Sequence, residues 1–121
     1  MSHYPDDDLF NVAYGVGKAG CDRMAADCGH ELREAGVAMI SLWPGPVKTE
    51  FIVEKMNEGD PMFKVYENGE TIEFSGKVVV HLAGETEEKI MARSGRIINT
   101  ADVAKQYGFK DIDGTVPVDF R

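Results

Sequence analysis

The sequence contains the stretch Val37-Ala38-Met39-Ile40-Ser41-Leu42-Trp43-Pro44-Gly45-Pro46, an apolar run that two prolines and a glycine end abruptly. Its first seven residues are almost all apolar, which is typical of a strand covered on both faces. The run follows at once on a long segment with helical spacing of its apolar residues, and Gly36 separates the two. A buried strand that directly follows a helix indicates an α/β domain with a parallel sheet.

The helix before this strand is predicted from an N-cap at Asp8 to about Ala35. Its apolar positions are Val12, Val16, Met24, Cys28 and Leu32. The same segment contains the four glycines Gly15, Gly17, Gly20 and Gly29. Each glycine costs up to about 1 kcal/mol against alanine in a helix, so we expect another part of the molecule to pack closely against this backbone. Residues 1–8, with three consecutive aspartates, are expected to form a flexible acidic arm.

Shorter elements are predicted after the strand. Three short helices are expected at residues 49–57, 86–93 and 101–107, with looser structure around Pro61 and Asn68-Gly69. Residues 75–83 fit either a helix or a strand, and residues 96–99 fit a second buried strand. The end, from residue 111 to 121, is expected to be a loop. Two strands cannot cover so long a helix or protect their own edges, so the chain looks like half of an α/β domain.

Composition excludes several classes of function. The chain has 121 residues and ordinary globular composition, which fits one domain. Its 13 Lys and Arg against 21 Asp and Glu give a net charge of −8, which argues against nucleic-acid binding. No apolar run is long enough to span a membrane. Cys21 and Cys28 are too far apart on a helix for a disulfide, are expected to be buried or half-buried thiols, and have no companion ligands for a metal.

One pair of residues suggests chemistry. Tyr14 and Lys18 are four residues apart, so a helix places the phenol and the ammonium on the same face. A cation beside a phenol favours the phenolate, which helps the group to exchange a proton near neutral pH. The spacing alone also fits a surface tyrosine and lysine without any chemistry.

The context of this pair makes the chemical interpretation the better one. The motif Tyr14-x-x-x-Lys18, the buried strand and the segment Pro44-Gly45-x-x-x-Thr49 together resemble the short-chain dehydrogenase/reductase family. The resemblance extends over the chain after about Leu9. It implies an α/β fold in which residues 9–121 form the C-terminal half of a Rossmann-type doubly wound parallel sheet, with the first βαβ half absent.

The resemblance also implies a function, that of an NAD(P)-dependent oxidoreductase that transfers a hydride between nicotinamide and a carbonyl/alcohol substrate. Tyr14 would exchange the proton with the substrate oxygen, and Lys18 would bind the nicotinamide ribose. Residues that would line the nicotinamide are Pro44, Gly45, Val47 and Thr49. Residues 50 to about 74 would correspond to the variable substrate lid.

The chain also departs from the family pattern. The glycine-rich dinucleotide turn and the residue that selects NAD or NADP do not occur before Tyr14, so both cofactors stay open and the isolated chain is expected to be inactive. Ser2 lies near the family's spacing for its catalytic serine, with no strand before it.

The alternative function is a truncated, non-catalytic binding or dimerisation module, with a homo-oligomer formed through the helix of residues 9–35. The expected compartment is the cytoplasm, with attachment to the endoplasmic reticulum as the alternative.

Overall fold

The computed structural model describes residues 12–118, so Ser2, Asp8 and the acidic arm of residues 1–8 lie outside the described residues. The elements are α1 (Val12–Glu31), β1 (Ser41–Trp43), α2 (Glu50–Asn57), a 3₁₀ helix (Pro61–Asn68), α3 (Ile72–Ala83), α4 (Glu87–Arg93), β2 (Ile97–Asn99) and α5 (Thr100–Tyr107). The chain divides into two compact units. Within the described residues, the first unit contains residues 12–41 and 87–97, and the second contains residues 42–86 and 98–118.

The two described strands, β1 and β2, pair in a small parallel sheet. Mixed helix and strand with a parallel sheet is compatible with part of a Rossmann-type fold, and the doubly wound arrangement stays a prediction. The predicted strand over residues 37–43 is too long, because only its last three residues form β1. The Met39 backbone instead bonds a turn: its N–H donates to Ser94 Oγ at 3.0 Å, and its carbonyl accepts from the Gly95 N–H at 2.6 Å.

The predicted strand is also less covered than expected, since Val37 is 46% exposed, Trp43 is 36% exposed, and residues 38–42 between them are half-buried rather than buried. The helix α1 ends at Glu31, four residues before the predicted end. Turns follow, in which the Gly36 N–H donates to the Arg33 carbonyl, and Gly36 itself has φ +70°, as a glycine that stops a helix requires.

Most of α1 is exposed in the structure. Ala25 and Gly29 are its buried residues, whereas Val12 is 83% exposed and the rest of the predicted apolar positions are exposed or half-buried. The expectation of close packing against the helix backbone is confirmed at Gly29, where an added Cβ would lie 2.6 Å from Gly95 Cα. It is wrong at the other three glycines, Gly15, Gly17 and Gly20, where a Cβ would meet no described atom within 4 Å.

The second unit has its core between α3 and α5. Residues 75–83 are helical rather than extended, because the buried side chains Phe74, Val78 and Leu82 recur every four residues. They lie in the same core as Val103, which is fully buried on α5. The helix predicted over residues 101–107 is confirmed as α5, with Gly108 at φ +70° after its end.

Two further predictions concern residues 49–68. The helix predicted over residues 49–57 is confirmed as α2, with Thr49 as its N-cap. The segment that starts at Pro61, predicted to be loose, forms the 3₁₀ helix instead. The Asp60 carboxylate accepts from the Met62 N–H at 3.0 Å, and the proline at the first position needs no hydrogen-bond partner for its nitrogen.

Candidate functional site

Tyr14 and Lys18 lie one turn apart on α1, in the first unit. The Lys18 Nζ atom is 5.5 Å from the centre of the Tyr14 ring, and both side chains are exposed, Tyr14 to 43%. An ammonium at this distance is attracted to the ring by about 0.5–1 kcal/mol at an exposed position. The predicted placement of a phenol and an ammonium on the same side of one helix is therefore present in the structure.

The same face of α1 is tied to the start of β1 within the first unit. Asp22 is one turn beyond Lys18, and its Oδ1 atom accepts a hydrogen bond of 2.6 Å from Ser41 Oγ. Because Tyr14, Lys18 and Asp22 follow one another at intervals of four residues, they lie along one side of the helix. The Asp22–Ser41 bond therefore fixes the rotation of α1 about its own axis, so that this side of the helix faces the start of β1. The sequence did not predict this contact.

The Pro44–Thr49 segment, called here the proline loop, lies in the second unit. Val47 forms a parallel bridge with Glu70, and the Lys48 N–H donates to the Glu70 carbonyl at 2.8 Å. Thr49 is exposed, and its Oγ1 atom accepts only a long hydrogen bond of 3.4 Å from the Ile52 N–H. In that bond the Thr49 hydroxyl is the acceptor, and its own proton has no acceptor among residues 12–118. The hydroxyl proton is therefore available for a bound group.

The charge of Lys48 is matched by an aspartate within the second unit. Lys48 Nζ lies 3.6 Å from Asp113 Oδ2. Thr115 donates to Asp113 Oδ1 through its hydroxyl at 2.6 Å and through its backbone N–H at 3.0 Å. The two hydrogen bonds from Thr115, first that of the hydroxyl, hold the pKa of Asp113 below its ordinary value, and the Lys48 ammonium adds to this effect.

An open cleft of about 540 Å³ lies beside α2 in the second unit. Among the residues that line it are Lys48, Glu50, Val53 and Ile72. The cleft therefore falls on the segment that the family resemblance assigns to a substrate lid.

The predicted site residues fall in different compact units. Tyr14 and Lys18 belong to the first unit, and the proline loop with Pro44, Gly45 and Val47 belongs to the second. The structure brings together the members of each group within its own unit. The combination of the two groups into one site stays a prediction.

Glu70 and Thr100, both in the second unit, were not predicted from the sequence. Glu70 contacts the proline loop, and Thr100 contacts Glu70. Thr100 Oγ1 donates to Glu70 Oε1 at 2.7 Å, and the Gly45 N–H donates to the same oxygen at 2.9 Å. Glu70 lies 25 residues after Gly45, in a segment without periodic pattern, so no local signal predicts the contact. Asn68-Gly69, which precedes it, indicates a turn but not what the turn contacts.

The described residues show neither a metal cluster nor a membrane-spanning helix. Within residues 12–118, no three His, Cys, Asp or Glu side chains are grouped so that they could hold a metal ion. His81 instead stacks on Phe109, with 4.1 Å between ring centres. Both cysteines are free; Cys28 is half-buried, but Cys21 is exposed, contrary to the expectation for it. None of the described helices combines the length and apolar character needed to cross a membrane.

Comparison with known proteins gives two curated relatives of the same name. The chain is 49% identical over 120 residues to dehydrogenase/reductase SDR family member 1 of Mus musculus, and 47% identical over 120 residues to the Homo sapiens protein of that name. The resemblance to the short-chain dehydrogenase/reductase family is confirmed. Each match covers 93% of this chain and 38% of the relative, so the chain spans less than half the length of these family members. No protein-family model matches the chain.

Proposed function

We propose that this chain carries the proton-transfer pair and the nicotinamide-facing loop of an NAD(P)-dependent oxidoreductase of the short-chain dehydrogenase/reductase type. The observation that carries the proposal is the Lys18 ammonium 5.5 Å from the Tyr14 ring on one helix, in a chain about half identical to named family members. In this proposal, further chain completes a doubly wound sheet and supplies the site for the cofactor's pyrophosphate.

Tyr14 is proposed to exchange a proton with the substrate oxygen. In the direction of reduction, its phenol O–H donates to the carbonyl oxygen as that oxygen gains negative charge. In the direction of oxidation, the phenolate accepts the proton of the substrate hydroxyl. The role proposed for the positive charge of Lys18 is to stabilise the negative charge that develops on the Tyr14 oxygen as the proton leaves it.

The nicotinamide cofactor, when bound, supplies or accepts the hydride. The residues proposed to hold it are Lys18, through hydrogen bonds from its ammonium to ribose hydroxyls, and the proline loop. Within that loop the Gly45 N–H is already bonded to Glu70, and the Val47 carbonyl accepts from the Thr49 N–H at 2.9 Å. The Val47 N–H and the Thr49 hydroxyl are therefore the groups proposed to contact the cofactor. The exposed Thr49 hydroxyl, with its available proton, fits the carbonyl of a carboxamide.

The substrate is proposed to be a carbonyl or alcohol compound that contacts the cleft beside α2. Apolar side chains such as Val53 and Ile72 line this cleft together with Lys48 and Glu50, which suits a small molecule with both apolar and polar parts.

The test uses a chimera in which this chain replaces the matching segment of the mouse relative. Oxidation of NADH and NADPH is measured with a panel of aldehydes and ketones. We expect Lys18→Met to lower kcat and to raise the KM for the cofactor, because the ammonium acts on both the phenol and the ribose. The control is Lys89→Met, an exposed lysine on α4 in the same unit. Equal kinetics of the two variants would contradict the proposal.

A second candidate function is that of a dimerisation module, favoured by the exposure of α1. Val12 and Val16 on this helix are both more than 60% exposed, and an added Cβ on Gly20 would meet no described atom. Val16→Glu tests it in the 121-residue chain by analytical ultracentrifugation. Conversion of a dimer into a monomer would support this function, and a wild-type chain that is already monomeric would exclude it.

A further inference from the structure

Glu70 is the most deeply buried carboxylate of the described residues, with 2% of its surface exposed. Its Oε1 atom accepts two hydrogen bonds, whereas its buried Oε2 atom has no hydrogen-bond partner among residues 12–118. Burying a carboxyl group with one oxygen unsatisfied is costly. The two hydrogen bonds that Oε1 accepts must therefore explain why this carboxyl group is buried.

One of these bonds satisfies an isolated donor in the proline loop. Gly45 stands between Pro44 and Pro46, neither of which has a backbone N–H. The Gly45 N–H is therefore the one backbone donor of this tripeptide, and it donates to Glu70 Oε1 at 2.9 Å. The carboxyl group thus fixes the orientation of the peptide unit between Pro44 and Gly45.

Backbone contacts hold the loop from the same side. The Glu70 N–H donates to the Pro46 carbonyl at 2.7 Å. Gly69 permits this approach, since a Cβ at that position would lie 2.5 Å from the Pro46 oxygen. Gly69 and Glu70 therefore both lie against the loop. Gly69 has no side chain that would collide with Pro46, and Glu70 forms hydrogen bonds to Pro46 and Gly45.

The second bond of Oε1 connects the loop to α5. Thr100 is the first residue of α5, is fully buried, and donates its hydroxyl proton to Glu70 Oε1 at 2.7 Å. Because the carboxyl group joins Gly45 to a helix of the core, the proline loop is fixed relative to α5 rather than free to follow a ligand.

We propose that Glu70 is the positioning residue of the proline loop: by binding the Gly45 N–H and the Thr100 hydroxyl, it leaves the Val47 N–H and the Thr49 hydroxyl as the groups presented to the nicotinamide. The description of these groups as nicotinamide-facing rests on the proposed function. The anchoring of the loop by Glu70 does not depend on it.

Amide hydrogen exchange of the 121-residue chain, measured by NMR, tests the anchoring. Glu70→Ala removes the acceptor, and we expect exchange at the Gly45 amide to become at least tenfold faster while the Val103 amide in the α5 core changes less. Glu70→Gln keeps an oxygen at the Oε1 position, so it is expected to restore Gly45 exchange to within about threefold of the wild type. Thr100→Val removes the other bond to the same oxygen and serves as the matched control, with slow exchange at Gly45 retained.

Unchanged exchange at Gly45 in Glu70→Ala, or equal acceleration at Gly45 and Val103, would overturn the proposal. If the alanine variant does not fold, the glutamine variant decides, because loss of Gly45 protection there contradicts the role given to Oε1.

The chimera with the mouse relative separates this proposal from the proposed function. Glu70→Ala is expected to raise the KM for NADH or NADPH several-fold with a smaller effect on kcat, because the loop binds cofactor and does not transfer protons. Glu70→Gln is expected to restore the KM. A chimera without NAD(P)H oxidation, together with the expected Gly45 exchange, would refute the proposed function and leave the anchoring intact. An anchored loop with an unchanged cofactor KM would refute the positioning role alone.

Discussion

At the scale of single residues, the side chains named in the proposals act through hydrogen bonds and through contacts of a charged group with a partner. Lys18 lies beside the Tyr14 ring, and Asp113 accepts two hydrogen bonds from Thr115 while it faces Lys48. The first arrangement can be recognised from a four-residue spacing. The contact between Lys48 and Asp113 joins residues 65 positions apart, and only the folded chain brings them together.

The lowered pKa of Asp113 predicts a dependence of stability on pH. A carboxyl group whose pKa is lower in the folded than in the unfolded chain stabilises the fold above its unfolded pKa, and this stabilisation is lost as the pH falls through its folded pKa. We therefore expect Asp113→Asn to lower the melting temperature at pH 6, with the difference from wild type shrinking towards pH 3. Thermal unfolding followed by circular dichroism measures it.

The matched control for this pH dependence is Glu67→Gln, at an exposed position of the 3₁₀ helix. A difference between Asp113→Asn and wild type that stays constant from pH 6 to pH 3 would contradict the assignment.

At the scale of elements, the glycines of α1 differ in what surrounds them. Gly29 lies against the turn at Ser94 and Gly95, where an added Cβ would approach backbone atoms to 2.6 Å. Gly20, nine residues earlier on the same helix, would place its Cβ in open space among the described residues. The same substitution therefore has opposite expected effects at the two positions.

Gly29→Ala is expected to destabilise the chain by about 1–3 kcal/mol, because backbone atoms of the turn must move to make room. Gly20→Ala is expected to stabilise it by up to about 1 kcal/mol through helix propensity alone. Urea unfolding of both variants measures the difference. A stabilising or neutral Gly29→Ala would show that α1 does not pack against this turn.

The elements themselves could be predicted where local signals are strong. Gly108 and Thr49 mark the end of α5 and the start of α2, and both boundaries are confirmed. The strand predicted over residues 37–43 is longer than the observed β1, because the Met39 backbone bonds Ser94 and Gly95, which are distant in sequence. The apolar character of the segment predicts neither how far its side chains are covered nor which of its backbone groups enter a ladder.

The residues of the candidate site also differ in whether the sequence alone could predict them. The Tyr14 and Lys18 pair and the proline loop could be identified from spacing and from a family resemblance. Glu70 could not, since its importance depends on contacts with Gly45 and Thr100, at separations of 25 and 30 residues. The side of α1 that carries Lys18 is fixed by the Asp22–Ser41 bond, which is equally invisible in a local pattern.

At the scale of the whole molecule, the chain corresponds to 38% of the length of its named relatives and carries a net charge of −8. The groups proposed to contact a cofactor all face its nicotinamide end. Dinucleotide affinity in Rossmann-type folds depends strongly on the pyrophosphate, which binds at a helix N-terminus after the first strand. An anionic cofactor is also repelled by the net negative charge of the chain.

The 121-residue chain alone is therefore expected to bind NADH and NADPH very weakly or not at all. A few hydrogen bonds of about 0.5–1.5 kcal/mol each do not offset the loss of freedom of a long flexible cofactor. Isothermal titration calorimetry measures this affinity, with the chimera as the positive control. Micromolar binding by the chain alone would show that it holds the cofactor without further segments.

The central claim is that Tyr14 transfers the proton, and the most direct measurement is kcat of the Tyr14→Phe chimera with its NAD(P)H dissociation constant determined on the same sample. The phenylalanine keeps the ring beside Lys18 and removes only the O–H. We predict a loss of kcat of about 100-fold or more, the range for a general acid, with an almost unchanged dissociation constant. A Tyr14→Phe chimera that turns over as fast as the Tyr14 chimera would contradict the claim.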